Sequence, residues 1–409
     1  MRISTAAAYD TSIGNLQRRQ SDLVDAQTHL TSGRRVLKAS DDPANAARAE
    51  RALAGEMRSV AAQRGVEASR VQMIDTESAL GTADALLQQA REALVGAGNA
   101  SFSDGERAIH ANQLQGLRDA LLAVANRSDG SGGYLFGGQG TAQPPFVDAP
   151  AGVQYAGASG QSRTDADTAL PLSTDGAAAW THARTGNGVY LSAAANNSLT
   201  GTAVAGAWID ATGVTNPAAL FPVADTGYRL RFSSATNYTI ERFSLATPAA
   251  AVTESSGTYT AGSAIDVHGM GCKISGTPTN GDQFELTPST PGLSVFGMLD
   301  RAIAELKTGG RSAAQRAQGT TDALRDIDAV MAPLRTARAF AGETLNRIDS
   351  ETDRLSAKKL MAQTDRSSAE DLDMVAAIAD YKNKETGYDA ALKSYAIVQK
   401  MSLFNYLNG

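Results

Sequence analysis

Apolar side chains recur along the first thirty residues at alternating steps of four and three: Tyr9, Ile13, Leu16, Gln20, Leu23, Gln27 and Leu30. That spacing is the seam of a heptad coiled coil. Two of its places are glutamine, so the helix is marginal alone and needs a partner. Thr31-Ser32-Gly33 interrupts the pattern, and Ser40-Asp41-Asp42-Pro43 restarts it. Asp42 is the predicted N-cap there, with Pro43 at the first helical position. The long helix that follows carries Leu53, Met57, Val60, Val71, Ile74 and Leu86/Leu87 towards Gly96. Ser103-Asp104-Gly105-Glu106 reads as a capping box. It opens a third helix with Ile109, Leu114, Leu117, Leu121 and Val124, which stops at the glycines from Gly130.

From about residue 141 to 290 the texture changes to Gly, Thr, Ser, Ala and Pro with little charge. Tyr228, Leu230 and Phe232 alternate with Arg229 and Arg231, then Tyr238 and Ile240 follow a polar turn; Asn280-Gly281 precedes Phe284 and Leu286. Period two with turn signals predicts antiparallel strands. Residues 150–220 are too weakly patterned to assign. Helical periodicity returns near 293, with helices predicted over 294–307, from about 313 to 362 and from about 369. Pro333 should kink the long one or mark a break. The last has the cleanest seam: Met374, Ile378, Tyr381, Glu385, Tyr388, Leu392, Tyr395 and Gln399, ending in the apolar run Met401, Leu403, Phe404, Tyr406, Leu407. The expected fold is therefore α+β: a long helical bundle with coiled-coil terminal arms and an inserted, mainly antiparallel β domain. The expected divisions are an N-terminal coiled-coil arm at 1–36, a bundle in two parts at 37–140 and 292–368, a variable β-rich outer domain at 141–291, and a C-terminal coiled-coil arm at 369–409.

Composition narrows the function. The 409 residues are 42% hydrophobic and 20% charged, with only 6% aromatics and a net charge of −6. Nothing in that balance favours nucleic acid or an anionic membrane. No stretch reaches the roughly 18–20 apolar residues of a membrane span. Met1–Gln20 is polar and amphipathic, with no apolar core of a cleaved signal. The single cysteine, Cys272, excludes an intrachain disulfide.

Chemistry is sparse. His29, His110, His182 and His268 are scattered, each without a second ligand at metal spacing, and read as solvent-facing or capping residues. Gly130–Gly140 lacks the Gly-Lys-Ser/Thr ending of a phosphate loop, so it reads as a turn-rich helix exit with Tyr134, Leu135 and Phe136 plugging a nearby core. Asp41-Asp42 before Pro43 reads as a helix cap rather than a carboxylate pair. Cys272, whose only basic neighbour in sequence is Lys273, reads as a small buried residue. No catalytic, cofactor or metal residue is predicted.

Leu30-Thr31-Ser32-Gly33-Arg34-Arg35 followed by Ser40-Asp41-Asp42-Pro43-Ala44 resembles the N-terminal signature of the flagellin family, which includes flagellins and the hook-associated proteins. Tyr134-Leu135-Phe136-Gly137-Gly138 with Pro144-Pro145-Phe146 looks like the members that join hook to filament. Ile274-Ser275-Gly276-Thr277-Pro278 with Gly281-Asp282-Gln283-Phe284 resembles a passage common in hook-associated proteins. The ending Ser402-Leu403-Phe404-Asn405-Tyr406-Leu407 departs from that of flagellin. The resemblance covers both arms and not residues 147–260. It implies a structural subunit exported unfolded through the flagellar type III apparatus to an extracellular flagellum, its termini folding on assembly. Implied partners are hook-associated protein 1, flagellin, further copies in a ring and a cytosolic export chaperone. Leu16, Leu23, Leu30, Tyr381, Tyr388, Leu392 and Tyr395 are the expected assembly seam. Leu403, Phe404 and Leu407 are the expected chaperone or axial contact. A flagellin filament subunit and a secreted adhesin or ligand-binding protein are the alternatives.

Overall fold

In the computed structural model the described residues are 5–164, 168–195, 206–221 and 225–407. Three helices come first: α1 (Thr5–Ser32), α2 (Pro43–Ala97) and α3 (Asp104–Ala125). A hairpin of β1 (Phe146–Ala149) and β2 (Gly152–Tyr155), the short α4 (Gly176–Trp180) and β3 (Ala183–Arg184) lead into the sheets. These comprise β4 (Tyr190–Ala194), β5 (Ala207–Val214), β6 (Thr226–Phe232), β7 (Asn237–Ser244), β8 (Thr247–Thr258), β9 (Ala264–Val267), β10 (Met270–Gly276) and β11 (Gln283–Pro288). After β12 (Pro291–Leu293) come α5 (Val295–Lys307), α6 (Ala313–Glu370) and α7 (Met374–Leu407). The expected α+β class is what the chain adopts. It forms two compact units, one of Met1–Arg64 with Ser350–Gly409 and one of Gly65–Asp349.

Cap chemistry sets the helix starts. The Asp42 carboxylate accepts from Asn45 N at 3.0 Å, a bond that holds its carboxyl below the usual range, and its carbonyl accepts from Ala46 N. Ser103 and Glu106 form the full reciprocal capping box at the start of α3.

In the larger unit, α2 and α6 run antiparallel along a seam with an unexpected composition. Val66, Met73, Leu80, Leu87 and Leu94 are buried at intervals of seven, and Ser69, Thr76, Ala83, Ala90 and Ala97 are buried three residues after each. Across the seam α6 buries Ile327, Leu334, Ala341 and Ile348, also at sevens. One large and one small residue per heptad keeps the seam filled. Polar pairs track the seam at the same interval: Arg70–Asp349, Glu77–Arg338, Asp84–Arg335 and Arg91–Asp328, at 2.7, 2.7, 2.8 and 3.0 Å. Met57, Val71 and Ile74, expected to lie along the apolar face of α2, are 62%, 48% and 49% exposed, and Ile109 of α3 is 67% exposed. Half of the true seam on α2 is written in alanine, serine and threonine, which hydropathy marks weakly or not at all.

Pro333 does not break its helix. α6 continues from Ala313 to Glu370, beyond the expected end near 362, and α7 starts at Met374. Proline removes one backbone donor and costs about 3 kcal/mol in a helix interior. Buried Val330, Met331 and Leu334 on either side of it supply the packing that offsets this.

Phe136, Phe146, Trp180 and Phe296 meet in the helical core, with the Trp180 and Phe296 rings stacked 5.8 Å apart. The loop after α3 thus plugs the core with Leu135 and Phe136, whereas Tyr134 stays half-buried. Gly138 has φ +69°, and a β-carbon there would overlap the Ala158 carbonyl oxygen. Nearby Arg118, 5% exposed, binds both oxygens of Asp148 (2.6 and 2.8 Å) and Asp300 (2.9 Å), tying α3 to β1 and α5.

The middle strands are antiparallel in every pair described, in the orders β4-β11-β6-β7-β8 and β5-β10-β9. Tyr228, Leu230, Phe232, Phe284 and Leu286 of the larger sheet share one core with Ile209, Met270, Cys272 and Ile274 of the smaller. β2 to β5 arise in the stretch whose pattern was too weak to assign. The Asn280-Gly281 turn connects strands of different sheets. Gln318 of α6 clasps the sheet edge: its amide accepts from Ile209 N at 2.9 Å and donates to Ile209 O at 3.2 Å. Arg325, two turns on, donates to Ser192 O at 3.2 Å.

Candidate assembly interface

The terminal helices α1 and α7 belong to the smaller unit and lie against each other. Their bases are tied by backbone. Arg35 N donates to Glu370 O at 2.7 Å and Leu372 N to Gly33 O at 3.0 Å, so residues 33–36 and 369–372 form a small antiparallel bridge. Arg35 adds a side-chain bond to Ala369 O at 3.0 Å, and Val36 and Ala369 are buried beneath. Within this unit Glu56 of α2 also accepts from Gln363 (2.7 Å) and Arg366 (2.9 Å) of α6.

Beyond that base the two helices bury little. Of the expected seam, Leu16, Leu23 and Leu30 of α1 and Tyr381, Tyr388 and Tyr395 of α7 are half-buried, and Leu392 is 39% exposed. Among the described residues, no side chain of either helix reaches full burial. Val24, Met374, Val375, Ile378 and Ile397 lie open, Val375 at 82%. The two faces leave a groove of about 610 Å³ rimmed by Arg18, Arg19 and Asp22 and bordered by Tyr395. A β-carbon at Gly387 would sit 2.6 Å from the Arg19 guanidinium, which crosses α7 there and would have to swing aside. Leu403, Phe404 and Leu407 occupy the final turns of α7, and their side chains, like that of Tyr9, lie outside the described residues.

The magnitude is informative. Val24, Met374, Val375, Ile378, Leu392 and Ile397 each keep about two fifths or more of their surface in water. Burying what remains would yield roughly 5–9 kcal/mol per subunit, taking about half the full transfer energy for each. That is comparable to the whole stability of a small domain. Apolar exposure of this extent on helices that bury nothing fully makes them the candidate interaction surface.

The other candidate chemistry is structural. His29 Nδ1 lies 2.9 Å from Arg34 O and His182 Nδ1 2.8 Å from Ala177 O, both at helix ends. His268 is partly exposed and pairs with Glu254. His110, expected at the surface or in a cap, is instead half-buried and stacked on Phe102 at 5.7 Å. Cys272 is buried and its thiol is pushed up to about 12 by desolvation, which keeps it protonated and unreactive. Among the described residues no three His, Cys, Asp or Glu side chains gather as a metal site, and no helix is long and apolar enough to cross a membrane. Among the described residues the one carboxyl moved towards neutrality is Asp322, pushed up to about 6 by burial against the pull of Arg325. It borders a cavity of about 270 Å³ between α5, α6 and β4, beside the Gln318 clasp. A clasp that joins helix to sheet needs such a group for structure alone.

Models of the bacterial flagellin N-terminal helical region and C-terminal helical region match residues 3–141 and 324–407, more than half of the chain between them. The chain belongs to the flagellin family. Within it, the chain is similar to flagellar hook-associated protein 3 of Escherichia coli, 25% identical over 99% of both chains. It is 32% identical to flagellar hook-associated protein 3 of Salmonella typhimurium over 43% of this chain, a match that spans 56% of that relative's length. A crystal structure of FlgL from Xanthomonas campestris superposes with a TM-score of 0.66 at 27% identity, covering 78% of this chain and 99% of that one. These relatives are structural flagellar proteins.

Proposed function

We propose that the chain is a structural subunit of the bacterial flagellum that joins the hook to the filament and carries out no catalysis. The observation that carries this reading is the contrast between a larger unit that closes its own core and terminal helices whose apolar side chains stay open. Such helices gain their packing from other subunits, in keeping with the family and with relatives named hook-associated protein 3.

In this reading α1 and α7 line the inner layer of a tube, with Leu16, Leu23, Leu30, Tyr381, Tyr388, Leu392 and Tyr395 as the packing seam. The bundle at 37–140 and 292–368 makes side-to-side contacts, and the β-rich domain at 141–291 points outward. The arms at 1–36 and 369–409 order on assembly, the burial of apolar surface offsetting the entropy lost. The subunit leaves the cell through the flagellar export apparatus. Its partners are copies of itself in a ring, hook-associated protein 1 on one side and flagellin on the other. A cytosolic export chaperone holds the tail at Leu403, Phe404 and Leu407 beforehand.

Deleting the gene, imaging the cells by electron microscopy and assaying the medium for flagellin tests the reading. Hooks without filaments, flagellin shed into the medium and rescue by this chain are the expected result. Intact filaments after deletion would overturn it.

A further inference from the structure

The smaller unit carries a second open surface away from the α1–α7 seam. Between α2 and α6 lies a groove of about 390 Å³ whose floor is Ala52, Gly55 and Ala362. A β-carbon at Gly55 would meet Ala362 at only 3.8 Å, so small residues shape this floor. The rim is cationic. Arg48, Arg51 and Lys358 border it against the single carboxylate Asp365, and Met361, 68% exposed, stands beside them. The Arg51 guanidinium has only a carbonyl of its own helix, Ala47 O at 3.1 Å. The next turns differ: Glu56 there is matched by Arg366 at 2.9 Å.

The same unit offers a surface of opposite character. Asp371 to Tyr381 contains three carboxylates, Asp371, Asp373 and Asp380, and no lysine or arginine. Asp371 lies just before α7, and Asp373 caps its first turn by accepting from Val375 N and Ala376 N. Asp380 pairs with Lys384 at 2.8 Å, and Val375 and Ile378 stand at i and i+3 on one stripe of the helix. Val375 is 82% exposed and Ile378 49%, with Met374 at 46% beside them. An apolar stripe edged by carboxylates is the complement of an apolar floor edged by arginines.

We propose that the α2–α6 groove of one subunit receives residues 371–380, the entry to α7 and its first turns, from a second copy of this chain. Both surfaces are open on the same protomer, and they are different surfaces. Pairing them is therefore head-to-tail, and its repetition closes a ring or continues as a helix. Apolar burial supplies the attraction, and the opposed charges fix register and exclude a groove-to-groove pairing, which would bring cation against cation. The inference rests on the flagellar reading and adds to it which surfaces meet.

The test places a photo-crosslinking amino acid at Val375 of the full chain in cells lacking the native copy, with irradiation of intact flagella. Purified flagella are first assayed for the chain itself, then crosslinked species are mapped by peptide mass spectrometry. A dimer of this chain joining residue 375 to 48–55 or 358–365 is the expected product. Arg48→Glu with Arg51→Glu should lower its yield about tenfold or more, because the reversed rim repels the carboxylates. Both arginines are exposed, so circular dichroism of the purified variant should match the parent. Crosslinks from 375 only to other regions, or to a different flagellar protein, would overturn the groove pairing while leaving the junction role intact. Absence of the chain from purified flagella would overturn both.

Discussion

The molecule holds two antiparallel helix pairs with heptad spacing, and they behave differently. Along α2 and α6, within the larger unit, large residues such as Met73 and Leu87 alternate with Thr76 and Ala90, and all four are at or below 1% exposure. Along α1 and α7 the apolar positions are larger on average, yet none of those described is fully buried. Hydrophobicity alone therefore does not decide which seam closes within the chain. What differs is the packing around each pair: the α2–α6 residues share one core with α3, α5 and the loop after α3, whereas α1 and α7 lie chiefly against each other. The tyrosine and leucine rows of α1 and α7 therefore keep one side open. The first pair closes a core; the second leaves its apolar side chains half-covered.

The sharpest break of this comparison is a charge in each seam. Leu87→Asp places a carboxylate where no water reaches and should cost at least about 4 kcal/mol, enough to unfold the larger unit in a thermal melt. A melt unchanged from the parent would mean that the α2–α6 seam is not the core of that unit.

Arg118 comes next. It is buried, but its partners Asp148 and Asp300 are 48% and 36% exposed, so water can still solvate them if the arginine is lost. Arg118→Ala should then cost about 2–3 kcal/mol rather than the larger penalty of two stranded charges. Denaturant midpoints measure it. The same network holds the Asp148 carboxyl below its usual range through its bonds to Arg118, so the stabilisation is lost only as pH falls below about 4.

The smallest effect lies at the clasp between α6 and the sheets. Asp322 is raised to about 6 from an ordinary 3.8, so its contribution favours the folded state below about pH 4 and is lost as pH rises through about 6. Some 35% of its side chain remains in contact with solvent, which screens much of the shift despite the crowding around it. Asp322→Asn should therefore remove a modest loss of stability between about pH 4 and 6.5. Equal pH dependence of the urea midpoints in parent and variant would show that the group is not buried in the working fold.

Much of this was legible in the sequence where one residue type has one local job. Asp42 before Pro43 and Ser103 with Glu106 announce helix starts because the orphan backbone donors there accept few other partners. Tyr228, Leu230 and Phe232 announce a strand because period two matches a half-buried sheet. The closing seam was legible only in part, at Leu87. Its Ser69, Thr76, Ala83 and Ala90 carry no hydrophobic signal, while exposed Met57, Val71 and Ile74 on the same helix carry a misleading one. Pro333 marks no break for a related reason, since its local penalty is offset by packing four residues or fewer away. The spacing of Leu16, Leu23, Leu30, Tyr381, Tyr388, Leu392 and Tyr395 was visible, but spacing does not tell a closed seam from an open one. That depends on what else packs over the seam, as α3 and α5 do in the larger unit.

The most direct test of the account introduces Leu23→Asp with Leu392→Asp. The purified monomer is melted, and the same variant is expressed in cells lacking the native copy. The account predicts a main unfolding transition within about 1 kcal/mol of the parent, together with hooks that carry no filament. Normal filaments on those cells, or a monomer destabilised as far as by Leu87→Asp, would contradict it.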